Sequence, residues 1–330
     1  MFKDIGRRIR EFFARVLRLP PPAPGYFVKD RKMSLRGWLH SAPWLWPSRE
    51  YLLYVPRGYG RWSRRPLLVL LHGCKQTPET FAAATRIAEL ADERKWLVLL
   101  PRQTDKANPW SCWNWFDGAT SAGRGETAIV AAQIRAVRGR YRVHPRRVFV
   151  AGFSAGGALA TALAVRRPEL FAGVFVHSGI ACGAASSASA ALNVMSAGAD
   201  TDPRKIGELA RAQAGGAVHL PLFVLHGVLD SVVAEVNAGQ VVRQFLALNG
   251  YARTGAAGEL PSPDVEATVT LASGRAVTTS EYRDGPRLLV RMVRITGLDH
   301  AWSGGDPAYP HNDPEPPDAT SLLGELIPAD

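Results

Sequence analysis

The stretch Gly152-Phe153-Ser154-Ala155-Gly156 sets one serine in the spacing G-x-S-x-G. The apolar run Val148-Phe149-Val150 precedes it and an alanine-rich helical pattern follows, so the serine falls between a strand and a helix. Glycines let the backbone make a tight turn that a Cβ would obstruct. Such a turn lifts the hydroxyl off the sheet to a helix N-terminus, where backbone N–H groups meet developing negative charge. This is the setting of a nucleophile; a plain Gly/Ser turn is the alternative reading.

A serine nucleophile needs a base, and the base needs an orienting acid. In a strand-turn-helix elbow both follow the serine in the chain, acid first, on loops after later strands. Asp230 follows the apolar run 222–225, and His300 follows the run 288–295. They are the expected acid and base for Ser154. Asp299 adjoins His300 and cannot easily turn onto its ring, and Glu235 falls in or just before the next helix. His72, His177 and His226 lie near strand ends and read as loop or core histidines. Two backbone N–H groups are expected to meet the oxyanion, one from Ala155 and one from Cys74, in the loop after His72-Gly73. Trp110, Trp113, Trp115 and Trp302 are candidates for an aromatic cleft wall, which suits apolar chains, polyester repeats or aryl groups. Trp113 and Trp115 alternate, so one of them is expected to face away from the cleft. Asn114 is a candidate to bond a substrate carbonyl, or else braces its own loop.

These residues need a scaffold of alternating strands and helices. Apolar or β-branched runs at 51–55, 67–71, 97–100, 148–150, 173–176, 222–225 and 288–295 read as strands. Thr77 with Pro78 starts a helix whose apolar face holds Phe81, Ala84, Ala88 and Ala91. Val130, Ile134, Val137 and Tyr141 mark another helix, Val241, Phe245 and Leu248 a third ending at Gly250, and 321–327 a short terminal one. Residues 265–283 read as a hairpin turning at Ser273-Gly274. The alternation predicts an α/β protein, a mostly parallel central sheet with helices on both faces.

Three cysteines are too few for a disulfide scaffold and leave room for one bridge and one free thiol. The net charge of +11 comes from basic residues scattered along the chain, with no recognisable nucleic-acid-binding module, so no nucleic-acid partner is expected. No metal-ligand spacing or phosphate loop is apparent, and neither metal nor cofactor is expected. Residues 2–19 place Phe2, Ile5, Ile9, Val16 and Leu19 at helical spacing among Lys3, Arg7, Arg8, Arg10 and Arg15. A basic amphipathic helix suits contact with a membrane surface or polymer granule, or packing on its own domain or a second subunit. The run Pro20-Pro21-Pro22-Ala23-Pro24 then reads as a linker. Residues 1–24 are thus expected to form this helix and linker, and 25–330 one catalytic domain. With no secretory or membrane-spanning segment recognised, a cytoplasmic or peripherally associated location is expected, secretion staying open.

Several motifs in order carry a family resemblance: Leu71-His72-Gly73-Cys74-Lys75-Gln76-Thr77, Cys112-Trp113-Asn114-Trp115-Phe116, the serine elbow, His177-Ser178-Gly179, His226-Gly227 through Asp230, and His300-Ala301-Trp302-Ser303-Gly304-Gly305. From about Tyr51 to Leu323 the chain resembles the poly(3-hydroxybutyrate) depolymerase family of esterases, in the α/β-hydrolase superfamily and related to feruloyl and acetylxylan esterases. The resemblance implies the α/β-hydrolase fold, a triad of Ser154, Asp230 and His300, and an oxyanion contribution from Cys74. It also implies a Cys74–Cys112 disulfide, leaving Cys182 as a buried apolar residue. Hydrolysis of hydroxyalkanoate esters or polyesters is the implied activity, with feruloyl or acetylxylan esters as the alternative. A non-catalytic docking protein is the rival from another class. Val228-Leu229 departs from the family, which often has more polar residues before the acid.

Overall fold

A computed structural model describes residues 25–33, 48–60, 62–216, 218–253, 255 and 258–328. The amphipathic segment 2–19 and the proline run after it lie outside the described residues.

One ten-stranded sheet organises the molecule, in the order β1-β2-β4-β3-β5-β6-β7-β10-β9-β8. These strands are β1 (Tyr26–Met33), β2 (Ser48–Val55), β3 (Arg65–Leu71), β4 (Leu97–Pro101), β5 (Val143–Phe153), β6 (Gly173–His177), β7 (Leu222–Gly227), β8 (Val265–Thr270), β9 (Ala276–Asp284) and β10 (Arg287–Ile295). The six inner strands from β4 to β10 pair in parallel. Antiparallel strands extend both edges, β2 and β1 on one side, β9 and β8 on the other.

Side chains alternate across each strand, and both faces are covered, which is why the inner strands read as unbroken apolar runs. In β3, Leu67, Val69 and Leu71 enter one core while Leu68 and Leu70 enter the other. The first core is roofed by α4 (Gly125–Arg140), α5 (Ala155–Arg166) and α8 (Val236–Asn249), through Val130, Ile134, Leu159, Val241 and Phe245. The second is roofed by α1 (Pro78–Ala84), α2 (Ile87–Arg94) and α9 (Ala319–Leu326), through Phe81, Ile87 and Leu323. Gly250 closes α8 in the left-handed region at φ 74°, where glycine carries no Cβ penalty.

The structure departs from the sequence pattern in places. The helix expected across 78–91 is two helices, broken at Thr85-Arg86, where Arg86 takes φ 51°. The freed carbonyls of Ala84 and Thr85 accept from Asp306 N–H (2.9 Å) and Thr320 Oγ1–H (2.8 Å), so the break fastens the C-terminal segment to the junction of these two helices. Strand β1 and the helices α3 (Gly118–Ser121), α6 (Ala188–Ala197) and α7 (Arg204–Gln213) add to the elements expected from the sequence. The chain ends with a short parallel pair, β11 (Trp302–Ser303) and β12 (Asn312–Asp313), before α9.

Candidate active site

Ser154 sits between β5 and α5 with φ 56° and ψ −122°, a conformation that costs a non-glycine residue on the order of 1–3 kcal/mol. The flanking glycines make the turn sterically feasible. A Cβ on Gly152 would come 2.2 Å from Gly156 O, and one on Gly156 would come 2.2 Å from Leu71 O. The turn is held from the neighbouring strand by Ser154 N–H donating to His177 O (2.9 Å).

Ser154 Oγ lies 2.9 Å from His300 Nε2. On the other side of the ring, Nδ1 lies 2.9 and 2.8 Å from the two oxygens of Asp230. A carboxylate can only accept, so Nδ1 carries the proton and leaves Nε2 free to accept from the serine hydroxyl. All three residues are buried, each less than 9% exposed. Burial pushes the Asp230 carboxyl up, but the His300 hydrogen bond and charge and the Val233 N–H (2.8 Å) outweigh it and hold it down at about 2. The sheet brings Ser154, Asp230 and His300 into one hydrogen-bonded line from positions up to 146 residues apart.

The Asp230 and His300 loops emerge from adjacent strands and are laced together. Val228 N–H donates to Ile295 O (2.9 Å) and Leu229 N–H to Leu298 O (3.1 Å). A Cβ on Gly227 would lie 2.3 Å from Leu298 O, so only glycine permits the approach. Asp299 turns away from the imidazole and accepts from Ser231 N–H (2.9 Å) and Oγ–H (2.8 Å). Glu235 flanks the start of α8 and pairs with Arg294 (2.8 Å).

His72, His177 and His226 are buried structural groups. His177 Nε2 accepts from Ser303 N–H (3.3 Å), and His226 Nε2–H donates to Val233 O (2.7 Å), closing the turn that presents Asp230. His72 Nδ1–H donates to Gly73 O (2.7 Å) and its Nε2 accepts from Gln103 N–H (3.2 Å). Burial lowers the pKa of all three, His72 to about 4.

The loop after β3 lies against the serine: a Cβ on Gly73 would be 3.4 Å from Ser154 Cβ. Gly73 N–H is taken by Gln76 Oε1 (2.8 Å) and Lys75 N–H by Trp110 O (2.7 Å). Among the described residues neither Cys74 N–H nor Ala155 N–H has a backbone acceptor. Cys74 and Cys112 form a disulfide, and Cys182 is a buried free thiol.

The aromatic wall expected from the tryptophans is corrected by the structure. Trp302 is 0% exposed, stacks on His177 (5.3 Å between centroids) and donates its indole N–H to Thr320 Oγ1 (3.2 Å). It supports the His300 loop from within. Trp113 is 1% exposed and donates to His72 O (3.0 Å). Trp115 is also buried, edge-on to Phe116. The indole N–H groups of Trp113 and Trp302 are thus satisfied inside the protein. Asn114 spends its polar atoms on Ala107 O (3.3 Å), Glu126 Oε1 (3.0 Å) and Asn108 Nδ2–H (3.0 Å), so it braces the loop. Trp110 alone of the four is exposed.

Sequence reasoning missed Glu126, a buried carboxylate in the first turn of α4. Its signal is positional: it shares one helical stripe with the apolar Val130, Ile134 and Val137.

The fold is that of an α/β-hydrolase. The chain belongs to the esterase PHB depolymerase family, whose model matches residues 49–263. It is 32% identical over 250 residues to poly(3-hydroxyalkanoate) depolymerase C of Paucimonas lemoignei, covering 75% of this chain and 57% of that protein. It is 25% identical over 221 residues to feruloyl esterase B of Thermothelomyces thermophilus, covering 65% of this chain and 75% of that one. Among solved structures, an acetyl xylan esterase from Aspergillus awamori superposes with a TM-score of 0.66 at 20% identity, covering 83% of this chain and 94% of that one, a likeness of fold.

Proposed function

We propose that the chain is a serine esterase that cleaves carboxylic esters through an acyl-enzyme on Ser154. The observation that carries this reading is the line from Ser154 Oγ through both nitrogens of His300 to Asp230. Ser154 Oγ attacks the ester carbonyl while its proton passes to His300 Nε2. The carbonyl oxygen becomes an anion held by the N–H groups of Cys74 and Ala155. Collapse expels the alcohol, which takes the proton from Nε2, and leaves the acyl group on Ser154. Water then repeats the sequence with the same base and releases the acid. Asp230 holds the ring in the required tautomer and stabilises the imidazolium.

The substrate class is poly- or oligo(3-hydroxyalkanoate), or related short-chain esters. The relative at 32% identity is named a poly(3-hydroxyalkanoate) depolymerase. Two large apolar side chains near the site residues, Leu229 beside Asp230 and Trp110 beside the Cys74 loop, are 62% exposed and suit an apolar acyl chain. Feruloyl or acetylxylan esters are the second reading, from the names of other relatives.

Ser154→Ala tests the chemistry: hydrolysis of p-nitrophenyl butyrate should disappear, and full activity would remove the assignment. A panel of p-nitrophenyl esters, hydroxybutyrate oligomers, amorphous polymer and methyl ferulate tests the substrate. Oligomers should be cleaved with the highest kcat/KM; preference for methyl ferulate would favour the second reading.

A further inference from the structure

The loop 72–76 is fastened to the segment 103–115 at four points. These are the Cys74–Cys112 disulfide, Lys75 N–H to Trp110 O (2.7 Å), Trp113 Nε1–H to His72 O (3.0 Å), and Gln103 N–H to His72 Nε2 (3.2 Å). The position of Cys74 therefore depends on what holds that segment. Glu126, only 6% exposed, gathers both of its ends. Its Oε2 accepts from Asn114 N–H (2.7 Å), and its Oε1 accepts from Asn114 Nδ2–H (3.0 Å) and from Gln103 Nε2–H. The same Gln103 amide donates to Cys112 O (2.9 Å), the carbonyl of the bridged cysteine itself.

We propose that Glu126 is a positioning residue for ester hydrolysis: acting through Gln103, Asn114 and the Cys74–Cys112 bridge, it places the Cys74 N–H in the oxyanion hole. This inference rests on the catalytic reading above. An oxyanion donor contributes only when it is already aimed at the position where charge develops. The Gly73 and Lys75 amides are engaged within the protein, whereas Cys74 N–H meets no acceptor among the described residues. Burial raises the Glu126 pKa, while the hydrogen bonds from Gln103 and Asn114 and the charge of Arg49 oppose it and favour the ionised form, which meets the three converging donors with acceptors alone. A glutamine there would turn an NH2 group against at least one of them.

Glu126→Gln is the test, because it keeps the shape and removes one acceptor. On p-nitrophenyl butyrate kcat should fall about 10- to 100-fold, with KM changing less than about threefold. Affinity for an aryl trifluoromethyl ketone should fall in proportion. That inhibitor bonds its carbonyl carbon to Ser154 Oγ, passes the hydroxyl proton to His300 Nε2 and puts its oxygen anion in the hole. In a Cys74→Ser, Cys112→Ser background the same substitution should have a much smaller effect, because the route is already cut. Unchanged kcat, or lowered kcat with ketone affinity intact and melting temperature reduced, overturns the proposal. An equal loss with and without the bridge overturns the route. The ketone measurement on Glu126→Gln alone decides the matter if the bridge-less protein does not fold. Ser154→Ala runs beside it: activity surviving there defeats the catalytic reading, whereas an inactive Ser154→Ala with an unaltered Glu126→Gln defeats this proposal alone.

Discussion

Asp230 shows how one residue serves both the geometry and the energetics of the site. Its two oxygens accept from His300 Nδ1–H, and Oδ1 also accepts from the N–H groups of Val232 (3.1 Å) and Val233 (2.8 Å). Asp230→Asn should keep the fold and lower kcat by about 10³- to 10⁴-fold, because an amide can present a donor to Nδ1 and reverse the tautomer. Steady-state kinetics alongside circular dichroism would check this. Trp110 allows a second prediction at this scale. Because it is the exposed tryptophan beside the Cys74 loop, Trp110→Ala should raise KM for longer acyl chains while leaving kcat on p-nitrophenyl acetate within about twofold. A uniform loss on all esters would contradict it.

At the scale of elements, the elbow depends on close contact between β3, β5 and α5. Gly156→Ala would drive a Cβ to within 2.2 Å of Leu71 O, and backbone on both sides leaves no side chain to yield. That variant should be strongly destabilised or fail to fold, and its yield of soluble protein and melting temperature would show it. The Cys74–Cys112 bridge closes a loop of 38 residues, worth roughly 4 kcal/mol in the chain-entropy account. Reduction should therefore lower both the melting temperature and the turnover, because it loosens the loop that carries Cys74. The elements themselves were legible wherever packing imposes a period. The inner strands lie where their apolar runs predict, and the 265–284 hairpin turns at Gly274 with φ 82°. The break at Arg86 was not legible, because what stabilises it is a C-terminal segment more than 200 residues away.

Across the whole molecule, buried titratable groups give stability a direction in pH. His72 is held neutral by burial with a pKa of about 4 against about 6.5 in the unfolded chain. The native state therefore binds fewer protons between these values. Its contribution is complete above pH 6.5 and lost as pH falls toward 4, about 3 kcal/mol in all. His177 and His226 act in the same direction. The lowered pKa of Asp230 adds stability present above about pH 3.8 and lost as pH falls through about 2. Urea unfolding at pH 7.5, 6 and 4.5 should show a steady decline in stability. A flat profile would mean that these histidines are charged, or reached by water, in the native state.

The sequence by itself determined the parallel sheet, the serine elbow and the order in which candidate acid and base follow it. Each of these rests on local rules: side-chain periodicity, the need for glycine in a tight turn, and the delivery of loops at strand ends. Only the tertiary structure decided what each aromatic and polar side chain faces. Trp113 and Trp302 are core residues, Asn114 is a brace, and Glu126 is a buried anchor, because partners distant in sequence satisfy their hydrogen bonds. Spacing along the chain gives the side of a helix or strand on which a residue lies, and the partner that side chain meets is a property of the folded molecule alone.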